Sequence, residues 1–216
     1  MAYPTVNGPY GLIPINLIGG QVFAGATRQI PIGSSNDTAI FFGDVVKLDS
    51  AGLLQKDVGT DTATPVGVFL GCSYTDPTFG KVFRQYYPAD TAASDIMAYV
   101  QDDPDALYKV AVVSSAATIG GVTRTAVGNN AVLVQNAGNT TTGNSGVAVD
   151  DTTATTASFP VRIIDVVPET ANASGSFTEV IVKWNAPRPT ITIDFTGETA
   201  SVSTAGGHQY LNPVGV

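Results

Sequence analysis

Phe42-Gly43-Asp44-Val45-Val46-Lys47-Leu48-Asp49-Ser50-Ala51-Gly52-Leu53-Leu54-Gln55 reads as a strand, a turn and the start of a second strand. Val, Leu and Phe suit a pleated, half-buried surface, while Asp, Ser and Gly form the break by bonding their own backbone or by supplying positive φ. The pattern recurs. Apolar segments at 65–73, 81–87, 96–101, 107–113, 122–127, 131–135, 147–149, 161–167 and 177–184 are separated by Gly, Asn and Asp. Short strands at such intervals predict an all-β protein, a β-barrel or a β-sandwich. Helical patterning is confined to 89–94 and 114–119, with room for a single turn in each.

Composition agrees with a structural protein. Only 13% of the 216 residues are charged, about half the usual quarter, and 44% are hydrophobic, with 23 Gly and 13 Pro. Few ionisable groups are left for chemistry. A net charge of −8 repels nucleic-acid phosphates and anionic membranes, so neither is expected as a direct partner. The single cysteine, Cys72, lies in an apolar run and reads as a core residue of a protein made in a reducing compartment. The start of the chain lacks the basic and apolar pattern of a secretory signal, and no apolar run approaches the roughly 20 residues of a membrane span. On this reading the three Asn-x-Ser/Thr sequons, at Asn36, Asn139 and Asn172, are chance products of an Asn- and Thr-rich chain.

Three segments follow. Residues 1–33 are apolar but broken by Pro4, Pro9, Pro14 and Pro31 and by five glycines between Gly8 and Gly25, which predicts an extended N-terminal arm. Such an arm buries little of its own surface and is a candidate for lying on a neighbouring chain, with an edge strand of its own domain as the alternative. Residues 34–185 form the barrel or sandwich domain, with long loops around one short strand at 138–158. Residues 186–216 form a C-terminal strand and tail, in which Thr190-Ile191-Thr192-Ile193-Asp194-Phe195 restarts the alternation.

Candidate chemistry is sparse. Gly143-Asn144-Ser145-Gly146 resembles the nucleophile loop of chymotrypsin-like proteases, but the only histidine, His208, follows the serine, whereas in that family it precedes it. No catalytic residue is expected. A Cys72/His208 pair has nothing local to activate the thiol. Asp102, Asp103 and Asp105 form the densest carboxylate cluster, which reads as a turn and, less readily, as a cation loop. With one His and one Cys there is no zinc site, and no phosphate-binding loop is present, so no cofactor is expected. Phe79, Phe83, Tyr86 and Tyr87 surround Lys81 and Arg84, an aromatic group that reads as part core and part protein interface.

The chain also carries a family resemblance. Its segments Tyr10-Gly11-Leu12-Ile13-Pro14-Ile15-Asn16-Leu17-Ile18-Gly19-Gly20 and Ala24-Gly25-Ala26-Thr27-Arg28-Gln29-Ile30-Pro31-Ile32, with Phe42 to Leu48, resemble virion structural proteins of tailed phages of aquatic bacteria, cyanophages in particular. Tyr86-Tyr87-Pro88-Ala89, Ala98-Tyr99-Val100, Asp102-Asp103-Pro104 and Gly207-His208-Gln209-Tyr210 look like the same group. The stretch from Gly43 through Gly52 to Val68 is similar to head-decoration proteins. That likeness implies a cement role on the outer surface of the capsid, with the major capsid protein as partner, a homo-oligomer, a trimer by preference, and a location in the virion. The arm residues Tyr10, Leu12, Ile15, Leu17, Ile18, Phe23 and Arg28 are the expected capsid or subunit contacts. A tail or fibre component used in host attachment fits the same composition.

Overall fold

The computed structural model describes residues 5–34, 36–171 and 175–185, together with the backbone of two short strands further on. The chain is all-β. In order the strands are β1 (Ile13–Leu17), β2 (Arg28–Pro31), β3 (Val45–Leu48), β4 (Leu54–Lys56), β5 (Gly67–Asp76), β6 (Gly80–Arg84), β7 (Met97–Gln101), β8 (Ala106–Ser115) and β9 (Thr118–Ile119). There follow β10 (Asn130–Ala131), β11 (Leu133–Val134), β12 (Ala148–Asp150), β13 (Val161–Val166), β14 (Glu179–Trp184), β15 (Ile191–Thr192) and β16 (Ser201–Val202). The first sheet runs β10-β13-β14-β8-β12-β11, with β1 and β9 also on β8. The second runs β2-β7-β5-β3-β4, with β6 on β5, and β15 pairs with β16 alone.

Of the two expected architectures the chain takes the sandwich-like one. Val45 of β3 and Val68 of β5 meet Tyr108, Val110 and Val112 of β8 and Ile163 of β13 in one core between the sheets. Burying each such side chain contributes roughly 1.5–3 kcal/mol. The far face of the second sheet covers another core, built on Ile30, Val46, Leu54, Phe69 and Val100 and closed by Ile40, Tyr87 and Ile96 from the loops. This sheet curls without closing into a barrel, and a single parallel bridge joins Ile32 to Leu54.

Strand β5 serves both cores through its alternation, and a bulge then decides which core its second half faces. Val68 enters the first core and Phe69 the second; the register against β7 then shifts between Phe69 and Gly71, and Cys72 and Tyr74 return to the second core. A bulge of this kind changes the parity of every later side chain. Gly71 permits it, at φ 138°, a conformation that side-chain-bearing residues rarely adopt.

Within residues 5–33 the chain places two strands at sheet edges of its own domain. β1 pairs with β8, from Ile13 opposite Lys109 to Leu17 opposite Ala106, and β2 pairs with β7, from Arg28 opposite Val100 to Pro31 opposite Met97. The segment thus gives one strand to each sheet, with Pro14 and Pro31 accommodated in strands at a sheet margin. Val6 and Tyr10 lie against Ala111, Val113 and Phe177 on the outer face of the first sheet.

Two local expectations fail. Residues 122–127 were expected to be a strand, but Arg124–Ala126 is a 3₁₀ turn whose Ala126 is buried against β13 and the first core. Residues 114–119 form the β8–β9 turn, with Ala116 at φ 44°, in place of a helical turn. Apart from β15 and β16, the C-terminal segment 186–216 lies outside the described residues.

Candidate functional site

The structure separates the seven expected contact residues. Leu12 is fully buried in the inter-sheet core and is withdrawn as a contact residue, since its side chain is enclosed by its own chain. Leu17 packs against the same core. Tyr10 is held at home: its hydroxyl donates to Glu179, and Lys109 lies 5.7 Å from its ring centroid while pairing with Glu179 at 3.0 Å. Burial first, and then the bond to Glu179 and its charge, push the Tyr10 phenol well above the ordinary tyrosine range. Arg28 is exposed, but its Nε pairs with Asp102 at 2.7 Å. Ile15 and Phe23 are half-buried.

Ile18 remains. It is 50% exposed, and Val22, four residues on, is 76% exposed. Both sit on the connection from β1 to β2, which doubles back through the Leu17 N–H to Gln21 carbonyl bond and an Asn16–Val22 bridge. From Ile18 to Thr27 this connection carries no charge.

Ser145 occupies a buried network. Its Oγ donates to Asp44 Oδ1 at 2.5 Å and accepts the Val147 N–H at 2.9 Å. Lys56 Nζ donates to the same carboxylate at 3.0 Å, and the Phe41 N–H to its Oδ2 at 2.8 Å. Asp44 is fully enclosed. The group ties β3 and β4 to the loop before β12, and a hydroxyl so committed and enclosed is a structural tie. His208 lies outside the described residues. Cys72 is buried, and burial pushes its thiol up to about 12, far from the thiolate that reactivity requires.

The aspartates of the β7–β8 turn point to separate partners: Asp102 to Arg28, Asp103 to the Asp105 N–H, and Asp105 to Lys183 at 2.7 Å. Among the described residues no three His, Cys, Asp or Glu side chains converge on a point where a metal ion could sit. None of their helices is long and apolar enough to cross a membrane.

The aromatic group splits between core and surface. Tyr87 is fully buried, with its hydroxyl on the Asn36 carbonyl, and Tyr86 stacks on Phe41 at 5.3 Å between centroids. Phe79 and Phe83, by contrast, are 75% and 73% exposed. Phe83 stacks over Tyr99 at 6.4 Å and borders an open groove of about 530 Å³, whose walls include Phe42, Leu70, Gln85 and Tyr99. Sequence reasoning named Phe79 and Phe83 but missed Tyr99, which a separate strand brings alongside. It also missed Asp44, although a carboxylate set in an otherwise apolar run was the available signal.

Compared with protein-family models, with curated proteins and with solved structures, the chain matches none.

Proposed function

We propose that the chain is a structural component of a tailed-phage virion, a decoration protein that binds the outer surface of the head and braces neighbouring major capsid proteins. The family resemblance supplies the virion. The structural observation that supports attachment is the uncharged, solvent-facing connection between β1 and β2, with Ile18 and Val22 at its surface. Contacts made there are apolar and backbone in kind, so attachment resists salt, whereas exposed ion pairs contribute only about 0–1 kcal/mol each and are screened.

The test adds the purified chain to undecorated heads and follows binding and heat-induced DNA release at low salt and at about 1 M salt. Decoration should raise the release temperature under both conditions, because a ligand of the closed shell opposes its opening. Ile18→Asp/Val22→Asp should abolish binding without unfolding the chain. Equal release temperatures with and without the protein overturn the cement role. Immunogold labelling confined to the tail would instead favour the host-attachment reading.

A further inference from the structure

The hairpin of β5 and β6 ends in a surface with three open features. Among the described strands β6 pairs with β5 alone, from Gly80 opposite Asp76 to Arg84 opposite Cys72. Its other edge therefore presents a row of backbone donors and acceptors that only another extended strand can satisfy in register. The strand also displays large apolar side chains. Phe83 stands on the same face as Lys81 and Tyr99, and Phe79 caps the hairpin, where Asp76 Oδ1 accepts the Thr78 and Phe79 N–H groups. Beside Phe83 lies the groove of about 530 Å³. Lys81, a charge that would ordinarily blunt such an edge, is engaged by Asp95 at 3.0 Å.

We infer that β6 pairs antiparallel with β6 of a second copy about a twofold axis at Val82. The strand is self-complementary in that register. Val82 faces its own counterpart, and Lys81 faces Phe83 of the second copy, an arrangement suited to a cation–π contact across the ladder. Gly80 falls opposite Arg84 and leaves room for the guanidinium. One step further, Phe79 falls opposite Gln85 of the second copy, on the wall of its groove. The most exposed ring thus meets the groove of the other copy, and the reverse contact forms by symmetry, as an isologous interface demands. The second sheet becomes continuous across the dimer. In this register the edge, the rings and the groove are all used at once.

The purified chain tests this without any virion particle, so the outcome stands apart from the proposed role on the head. Light scattering across a concentration series should show a dimer. Phe79→Glu and Phe83→Glu, both at exposed positions, should each weaken association by at least about tenfold, with unchanged circular dichroism. Val82→Cys should yield an intermolecular disulfide under mild oxidation, because directly opposed residues of an antiparallel pair have Cα atoms about 4.5–5.5 Å apart, within disulfide reach. Buried Cys72 gives a low background. Adding Phe83→Glu to Val82→Cys should suppress the cross-link. A wild-type chain that stays monomeric throughout overturns the inference and leaves the edge to a different partner. A dimer that survives both glutamate variants overturns it equally.

Discussion

Replacing Asp44 by Ala removes the acceptor at the centre of the network that ties the second sheet to the loop before β12. Its carboxylate takes hydrogen bonds from the Phe41 N–H, the Lys56 ammonium and the Ser145 hydroxyl, and its side chain has no solvent exposure. The Lys56 side chain is only 11% exposed, so the substitution leaves an ammonium largely out of water with no counter-charge. Breaking one side of a buried pair costs about 3–5 kcal/mol, and we expect about 4 kcal/mol for Asp44→Ala. In a chain of this length that lowers the midpoint of thermal unfolding by about 8–16 °C. Guanidinium unfolding should show the midpoint falling with the slope unchanged, the mark of lost stability and not of altered compactness. Asp44→Ala/Lys56→Met removes both charges and should be less costly than Asp44→Ala alone, by about 2 kcal/mol. Ser145→Ala should cost about 1.5–3 kcal/mol, the range for a hydrogen bond to a charged group. A loss below about 1 kcal/mol for Asp44→Ala, or simple additivity in the double variant, would refute the claim that the carboxylate holds this junction together.

Three further outcomes are expected. Gly11 has φ 84°, and a Cβ there would lie 2.7 Å from the Gly43 carbonyl oxygen; Gly11→Ala should destabilise by about 2–4 kcal/mol, against only about 1–2 for Gly52→Ala, which has φ 74° and open space around it. Because the Tyr10 phenol titrates above its unfolded value in the folded chain, its contribution is complete below about pH 10 and is lost as the pH rises beyond it; Tyr10→Phe should flatten that alkaline decline in chemical-denaturation curves. Cys72, with its thiol pushed up to about 12, should resist a thiol reagent at pH 8 in the native chain and react at once in denaturant; fast native labelling would contradict its enclosure.

How much of this was legible in the chain differs from feature to feature. The all-β class follows from local chemistry. Short apolar runs such as 65–73, bounded by Gly, Asn, Asp and Thr, cannot support a long helix, and most of these runs are strands with ends moved by a few residues. Where local signals were ambiguous the reading failed: 122–127 looks like a strand, yet Arg124–Ala126 folds as a 3₁₀ turn that tucks Ala126 into the first core, a contact with distant strands that the local pattern does not carry. The burial of Cys72 and the split of the aromatic group into core and surface were also foreseeable in kind, though not which ring goes where.

Tertiary structure decided everything that depends on pairing between distant residues. Composition cannot tell an arm that lies on a neighbour from one that pairs at home; the ladders of β1 with β8 and of β2 with β7 settle that for residues 13–17 and 28–31, and leave Ile18 and Val22 outside. Ser145 looked like a nucleophile in its loop, and only the approach of Asp44, 101 positions earlier in the chain, makes it a structural tie. Likewise the edge of β6 that is unpaired among the described strands is invisible in its own residues, because an edge is defined by which strands lie beside it. Periodicity and turn chemistry act over a few residues and determine what each segment becomes. Which faces meet, which edges stay free and which polar groups find partners are decided by contacts between segments far apart in the sequence, where no local pattern reaches.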